Sequence, residues 1–246
     1  MLTIDNSLMR IIDGEHILDV GCGGGRHSWE ACKQCNCIIY SLDIEETNLK
    51  NTRDMFTILD EHGESKGTLG GVIKGNVTKL PFKDTSLDKI ICSEVLEHVD
   101  DDQQAISEMV RVLKDDGILA ISVPSRLPET ICWKLSTDYH SNPGGHVRIY
   151  QANELISKLS RNDLHIYTTH RKHALHSFYW ISRCLFGMEN GNALIPSLYH
   201  KFLVWDIKTK SKPIHILDDL LNTFFSKSTV FYAQKIQNRV NKSCES

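Results

Sequence analysis

The segment Ile17-Leu-Asp-Val-Gly-Cys-Gly-Gly-Gly25 constrains the fold of this chain more than any other stretch of it. The residues His16–Val20 form a short apolar run of the kind that a buried strand shows. The glycines after it allow a sharp turn and let a ligand approach the backbone where a Cβ would collide. A predicted helix over Arg26–Gln34 follows, so the chain has the strand, glycine turn and helix that commonly bind phosphates or nucleotides.

Short apolar runs alternate with amphipathic segments through the first half of the chain, which is the pattern of β-α units around a parallel sheet. The predicted strands are His16–Val20, Cys37–Asp43, Gly71–Gly75, Ser86–Ser93, Gly117–Val123, Leu164–Thr169 and Thr229–Ile236. We predict a loop over His62–Gly71, a long loop or short-helix region over Leu127–Gly145, and helices in the roughly sixty residues before the last strand. The fold class is therefore α/β: a Rossmann-like, doubly wound, seven-stranded sheet with an antiparallel last strand, helices on both faces and a helical insertion before that strand.

Composition and charge limit the partners of the chain. With 41% apolar residues among 246, it has enough for one large domain, which we predict to span residues 1–246. The formal net charge of −3 gives no general attraction for phosphate backbones, so nucleic acid is disfavoured. No apolar stretch reaches the roughly 18 residues of a membrane-spanning helix, whereas peripheral membrane contact stays open. Eight cysteines and an N-terminus without signal-peptide features favour reduced thiols in a cytoplasmic protein, whose oligomeric state stays open.

Two features of the glycine turn narrow the type of ligand. Counted from Gly21 and Gly23, the third glycine of the dinucleotide fingerprint would fall on Arg26, and the lysine of a Walker sequence is absent. Asp19, at the end of the strand, would repel a pyrophosphate but can accept hydrogen bonds from an amino group, directly or through water. These features fit S-adenosylmethionine, which has an amino acid end, a sulfonium and no phosphate.

With this turn, Glu15–Pro124 resembles the class I S-adenosylmethionine-dependent methyltransferases, in particular the methyltransferase type 11 subgroup that includes ubiquinone and menaquinone C-methyltransferases. Gly145–Asp163 resembles them weakly. The resemblance implies S-adenosyl-L-methionine as the cofactor and a methyl-transferring enzyme. The cofactor-binding residues that it implies are Asp19, Gly21, Cys22, Gly23, Asp43, Ile44, Asn76, Val77, Ser93 and Glu94. Asp19, Gly21 and Gly23 are expected along the methionine half of the cofactor. Cys22, within the same turn, is a side chain small enough for this position.

The remaining residues are expected along the ribose and adenine. Asp43 ends the second strand and matches the acid that binds both ribose hydroxyls, a role that its position supports independently. Ile44 would lie against adenine. Asn76 stands where the family usually has an aspartate that receives the adenine amino group, and its side-chain carbonyl can accept the same hydrogen bond. Ser93 and Glu94, after the fourth strand, are expected to line the cofactor side.

Methyl transfer from a sulfonium is an in-line displacement that requires alignment, exclusion of water and, for some acceptors, removal of a proton. The candidates for this chemistry lie in Tyr139–Tyr150. If the second half of this segment is extended, His146, Arg148 and Tyr150 alternate onto one face. His146 is then a candidate general base and Arg148 a candidate for holding an acidic group of the acceptor, with His140 a weaker candidate. Alternatively, this face anchors the following helix and Tyr150 lies in the core.

The sequence predicts no metal site. Cys32, Cys35 and Cys37 straddle a helix end and a strand start, without the second pair that would complete a tetrahedral zinc site. The four histidines between residues 165 and 176 have irregular spacings. We interpret His98 as ordering the loop after the fourth strand rather than taking part in chemistry.

We therefore expect methyl transfer from S-adenosylmethionine to oxygen or carbon of a small-molecule or lipid-like acceptor. Because few residues precede the first strand, residues 125–150 and 174–228 are predicted to cap the substrate. The aromatic and aliphatic side chains of the second segment either pack an insertion or cover an apolar acceptor. Two alternatives stay open: a non-catalytic S-adenosylmethionine-binding regulatory protein, and an NAD-dependent oxidoreductase on a similar fold, which the glycine spacing and Asp19 disfavour.

Overall fold

The central strands carry apolar side chains on both faces, as expected of a parallel sheet that is covered by helices on either side. The computed structural model describes residues 2–141, 144–187, 193–209 and 211–236. Its strands are β1 (His16–Val20), β2 (Ile38–Asp43), β3 (Thr68–Lys74), β4 (Leu87–Ser93), β5 (Leu113–Pro124), β6 (Leu164–Lys172) and β7 (Ser228–Lys235). They form a seven-stranded sheet in the order β3-β2-β1-β4-β5-β7-β6, in which β7 runs antiparallel to both of its neighbours. The predicted fold class is confirmed.

Helices cover both faces of this sheet. They are α1 (Asn6–Met9), α2 (Arg26–Gln34), α3 (Glu46–Glu61), α4 (Asp102–Val112), α5 (Arg126–Leu135), α6 (Asp138–Ser141), α7 (Ala152–Ser160), α8 (Ala174–Phe186), α9 (Leu194–Thr209) and α10 (Lys212–Phe225). Successive strand residues point to opposite faces. Accordingly, Ile17 packs in the core cluster with α1, α2 and α3, whereas Leu18 packs in the one with α4 and α7.

The third strand begins earlier than the sequence predicts. β3 starts at Thr68, inside the predicted loop, because the glycines of this stretch serve close packing rather than a turn. A Cβ on Gly70 would lie 2.7 Å from Ile38 Cγ2 and 2.8 Å from Tyr40 Cε1. β5 also starts earlier than predicted, and the strand is distorted at Asp116, which has a φ of 63°.

The region predicted as a long loop or short helices, Leu127–Gly145, contains α5 and α6. α5 packs against α8, so the region joins the helical insertion that α8, α9 and α10 form before β7. A hydrogen bond between the two helices helps to order this region: the Tyr139 hydroxyl on α6 donates to Glu129 on α5 over 3.1 Å. Within the described residues, no helix combines the length and apolar character needed to cross a membrane.

Candidate active site

A cavity of about 830 Å³ opens at the carboxyl ends of β1, β2 and β4. This is the edge at which open α/β sheets bind their ligands, and the volume is within the usual range for a small-molecule site. Seven of the ten residues predicted to bind the cofactor line it: Gly21, Gly23, Asp43, Ile44, Asn76, Val77 and Glu94. On the far side, the wall is formed by His98 and Gly144.

The glycine turn requires glycine for two separate reasons. Gly21 and Gly23 have φ of 63° and 53°, in the left-handed region that other residues rarely adopt. A Cβ on Gly21 would also overlap Cγ2 of Val95, which lies after β4. In this conformation the Gly23 N–H donates to Asp43 Oδ2 over 2.8 Å, so the turn is held against the end of β2.

Asp19 and Cys22 lie behind this turn rather than on the cavity wall. Asp19 is 1% exposed, and its Oδ2 accepts from Ser28 N (3.1 Å) and Ser28 Oγ (2.7 Å) at the start of α2. Burial raises the pKa of Asp19 to about 7, although the hydrogen bonds from Ser28 oppose that shift. The buried Cys22 thiol lies 3.7 Å from Thr52 Oγ1. Contact between either side chain and a ligand stays a prediction.

Asp43 ends β2 with its carboxylate at the cavity. Besides the bond from Gly23, Oδ1 accepts from Glu45 N over 2.8 Å and from Asn48 Nδ2 over 3.3 Å. The neighbouring Ile44 is 63% exposed and lines the same cavity. An apolar side chain that is exposed here offers a surface for a flat ring, and Asp43 still has acceptor capacity beyond its three donors.

The loop after β3 contributes Asn76 and the buried Val77. Asn76 Oδ1 accepts from Thr78 N over 2.9 Å and from Thr78 Oγ1 over 3.0 Å, which closes a local turn. The oxygen that the sequence assigns to the adenine amino group thus already has two donors within the chain.

At the end of β4 the backbone turns sharply, with Glu94 at a φ of 56°. Glu94 lines the cavity, and its Oε1 accepts from Ser122 Oγ over 3.0 Å. Ser93 does not reach the cavity wall, because its hydroxyl pairs with Ser122 Oγ over 2.9 Å. Lys227 Nζ lies 3.9 Å from Glu94 Oε2.

A second set of polar groups surrounds Glu129 of α5, which is 2% exposed. Its carboxylate accepts from Trp133 Nε1 (2.9 Å), from the Tyr139 hydroxyl (3.1 Å) and from His146 Nδ1 (2.5 Å), and Lys227 Nζ lies 3.8 Å away. Burial alone would raise the pKa of Glu129, but the hydrogen bond from His146 and the charge of Lys227 outweigh it and hold that pKa below its usual value. Glu129 is therefore an ionised acceptor that orients His146.

Arg148 and Tyr150 do not share a face with His146, contrary to the prediction from alternation. The segment is not a strand, and the charge of Asp102 at the start of α4 draws both side chains toward it. Arg148 Nη1 lies 2.6 Å from Asp102 Oδ2, which also accepts from the Tyr150 hydroxyl and from Lys158 Nζ, each over 2.5 Å. Arg148 is thus engaged in a buried ion-pair network, and Tyr150 is 3% exposed.

His140, the weaker catalytic candidate, lies on α6 and does not line the cavity. Its ring stacks on Trp133 with centroids 4.4 Å apart. Of the three candidates for chemistry, His146 is the one whose ring contacts a residue of the cavity wall, with its centroid 4.7 Å from that of His98.

The sequence analysis assigned Glu94 to the cofactor and His98 to ordering the loop after the fourth strand, but it did not predict the role of Glu97 or the approach of this turn to His146. Leu96–His98 is a 3-10 turn, which places the Glu97 side chain inward and His98 on the cavity wall. Among the described residues, these two and His146 form a group of potential metal ligands, with ligand atoms all within 4.8 Å of one another. The adjacent acid and histidine were visible in the sequence, but their approach to His146, from another segment, was not.

Comparison with known proteins identifies the first half of the chain. Residues 18–121 match the family model described as a methyltransferase domain. The "Probable S-adenosylmethionine-dependent methyltransferase" of Mycolicibacterium smegmatis is 29% identical over 146 residues, which are 59% of this chain and 50% of the relative. The demethylmenaquinone methyltransferase of Listeria monocytogenes is 34% identical over 129 residues, 52% of each chain. The chain thus spans about half the length of the curated relatives that it matches.

Solved structures share the fold over nearly the whole chain. A SAM-dependent methyltransferase from Methanosarcina mazei has a TM-score of 0.62 at 17% identity and covers 96% of this chain and 99% of its own. The [4+2]-cyclase SpnF has a TM-score of 0.61 at 17% identity, over 94% of this chain and 77% of its own. Such similarity shows the fold alone, because one fold hosts different reactions.

Proposed function

We propose that this chain, whose residues 18–121 belong to the class I S-adenosylmethionine-dependent methyltransferases, transfers a methyl group from that cofactor to a small-molecule or lipid-like acceptor. S-adenosyl-L-methionine is the cofactor of this family. One observation carries the proposal: a single cavity joins the glycine turn and Asp43 to His98 and Gly144, beside the segment that holds His146. Cofactor and acceptor can therefore meet within one open cleft.

In this proposal, the residues of β1 to β3 bind the cofactor. The Asp43 carboxylate accepts hydrogen bonds from the ribose hydroxyls, and Ile44 and Val77 pack against adenine. Gly21 and Gly23 let the methionine half approach the backbone, with Asp19, Cys22, Asn76, Ser93 and Glu94 supporting this arrangement at or behind the cavity wall. When bound, the cofactor supplies an activated methyl group on its sulfonium, and the chain has to align the acceptor and exclude water.

The segments 125–150 and 174–228 cap the acceptor side in this proposal, as parts of a single domain with the sheet. An apolar acceptor is supported by exposed apolar side chains on α9 and α10. They include Leu194 (71%), Leu198 (54%), Trp205 (50%), Ile216 (62%), Leu220 (68%) and Phe224 (69%). The Listeria relative, named for methylating a demethylated menaquinone, suggests a prenylated quinol or phenol as a first acceptor class to test.

The test is methyl transfer from labelled S-adenosylmethionine to a panel of prenylated quinols, phenols and small hydroxy compounds. We expect label in an extractable product with at least one class, and none with Gly21→Ala, which should not bind the cofactor. Binding of S-adenosylhomocysteine without any labelled product would contradict the proposed activity and favour the non-catalytic alternative.

A further inference from the structure

Three potential metal ligands converge where one of them, His98, lines the cofactor cavity. Glu97 and His98 come from the 3-10 turn after β4, and His146 comes from the segment after α6. Their ligand atoms lie within 4.8 Å of one another, and the rings of His98 and His146 have centroids 4.7 Å apart. Glu97 is fully buried, whereas His98 is exposed at the cavity, so a cation bound here would have open positions on the cavity side.

The Glu97 side chain is fully buried. Both of its oxygens lack a hydrogen-bond partner among the described residues. Lys227 lies 3.9 Å from Glu94 and 3.8 Å from Glu129, so its ammonium group is already shared between two other carboxylates. Burying a carboxylate without hydrogen-bond partners is costly, and a bound cation would remove that cost.

Both histidines are oriented as metal ligands commonly are. His98 Nδ1 lies 3.3 Å from the Gly145 carbonyl oxygen, and His146 Nδ1 lies 2.5 Å from Glu129 Oε1. A carbonyl and an ionised carboxylate can only accept, so each Nδ1 is the donor in these contacts, and Nε2 is the ring nitrogen left to bind a cation. Outer hydrogen bonds of this kind fix the tautomer and the ring orientation in metal sites.

We propose that Glu97, His98 and His146 bind a divalent transition-metal cation, which positions and activates a hydroxyl group of the acceptor. Two imidazole nitrogens and one carboxylate oxygen, with open positions, suit Zn²⁺, Fe²⁺ or Mn²⁺. This inference rests on the proposed function, and it narrows the methylated atom from oxygen or carbon to oxygen.

The cation replaces the general base that His146 would otherwise supply. It lowers the pKa of the acceptor hydroxyl, which loses its proton to solvent. The oxygen then forms a bond to the methyl carbon while the carbon–sulfur bond breaks and its electron pair stays on sulfur, which leaves neutral S-adenosylhomocysteine. Glu129 is a positioning residue that acts through His146.

The test is metal binding by the whole chain after treatment with a chelator, with Mn²⁺ followed by electron paramagnetic resonance and Zn²⁺ by calorimetry. We expect about one ion per chain. Glu97→Gln and His98→Asn should each weaken binding about 10-fold or more, and Glu129→Gln by about 10- to 100-fold through the loss of the outer hydrogen bond. His98→Asn changes an exposed side chain and guards against a folding defect in the Glu97 variant.

Matched controls are His165→Gln and Glu154→Gln, which remove an exposed histidine and an exposed acid elsewhere in the fold. Both should bind Mn²⁺ like the wild type. A second readout is the melting temperature, which Zn²⁺ should raise for the wild type and not for Glu97→Gln.

S-adenosylhomocysteine binding, measured in parallel, separates this inference from the proposed function. Intact binding of that ligand without uptake of Mn²⁺ or Zn²⁺ overturns the metal site and leaves the methyltransferase standing. Metal uptake that survives Glu97→Gln and His98→Asn overturns this ligand set. If chelation leaves methyl transfer unchanged while His146→Gln abolishes it, His146 is a base and not a ligand.

Discussion

At the scale of single residues, the glycine turn shows most sharply how sequence, shape and binding are linked. Gly21 and Gly63 have nearly the same positive φ, 63° and 65°. A Cβ on Gly63 meets nothing within 4 Å, whereas one on Gly21 overlaps Val95 at the cavity. An alanine at Gly63 would therefore bring backbone strain alone, whereas an alanine at Gly21 would bring the same strain and a steric clash with Val95.

We predict that Gly21→Ala abolishes S-adenosylhomocysteine binding in calorimetry, because Val95 or the turn must shift. Gly63→Ala should cost about 1 kcal/mol of unfolding free energy, from the strained φ, and leave that binding intact. Equal affinities for both variants would refute the role of the turn.

Asp43 gives a second residue-scale prediction. Asp43→Ala should weaken S-adenosylhomocysteine binding by about 2–3 kcal/mol, because two ribose hydrogen bonds and the anchor of the Gly23 N–H are lost. The matched control is Glu46→Gln, an exposed acid one turn away whose ion pair with Lys74 spans 3.7 Å. Unchanged affinity of Asp43→Ala in calorimetry would refute the ribose role.

Residue-scale reasoning from the sequence succeeded where one local segment carries the chemistry. The spacing of Asp19, Gly21 and Gly23 pointed to the cofactor, which the family comparison supports independently. It did not predict that Glu97 and His98 lie next to His146, since their convergence depends on how the segment after α6 returns to β4. The prediction from alternation that Arg148 faces the same side as His146 was wrong, because the ion pair with Asp102 on α4 decides where the Arg148 side chain points.

At the scale of elements, periodicity predicted the number and order of the strands and the helix after β1, although β3 and β5 begin earlier than predicted. The region of α5 and α6 could not be predicted as well, since its order depends on Glu129 bonding to Trp133, Tyr139 and His146 from different elements. The third strand was predicted too short for a related reason. A glycine that allows close packing against Tyr40 looks the same in the sequence as a loop glycine, because its packing neighbour is not visible there.

The network around Asp102 ties three elements together, and its loss should show in stability rather than in binding. Asp102→Asn leaves Arg148 and Lys158 without their shared partner, so we expect a loss of about 2 kcal/mol of unfolding free energy in urea denaturation. S-adenosylhomocysteine affinity should stay within about threefold. Glu154→Gln, which removes only the exposed ion pair with Lys158, should change stability by less than about 0.5 kcal/mol. A large loss of affinity in Asp102→Asn would instead place this network in the binding site.

At the scale of the whole molecule, buried titratable groups link stability to pH. Burial and the charge of Arg26 lower the pKa of His27 to about 4 in the folded protein, below its ordinary value of 6.5. Folding thus favours the neutral imidazole. Its contribution to the free energy of unfolding is fully present above pH 6.5 and is lost as the pH falls toward 4. The buried Asp19, with a raised pKa, acts in the opposite direction in the same range, so only a difference between variants isolates His27.

We predict that the unfolding free energy of the wild type, minus that of His27→Gln, decreases by about 3 kcal/mol between pH 6.5 and pH 4. Urea titrations at several pH values measure this difference. A difference that stays constant with pH would mean that His27 is not held neutral by the fold.

At the scale of the whole molecule, one cavity lies at the carboxyl ends of β1, β2 and β4 and also has His98 and Gly144 in its wall. The central claim is that S-adenosylmethionine occupies the half of this cavity formed by the glycine turn and Asp43. Calorimetric titration of the chain with S-adenosylhomocysteine and, separately, with NAD⁺ tests it most directly. The account predicts one S-adenosylhomocysteine per chain and no measurable NAD⁺ binding. Tight NAD⁺ binding without S-adenosylhomocysteine binding would contradict it.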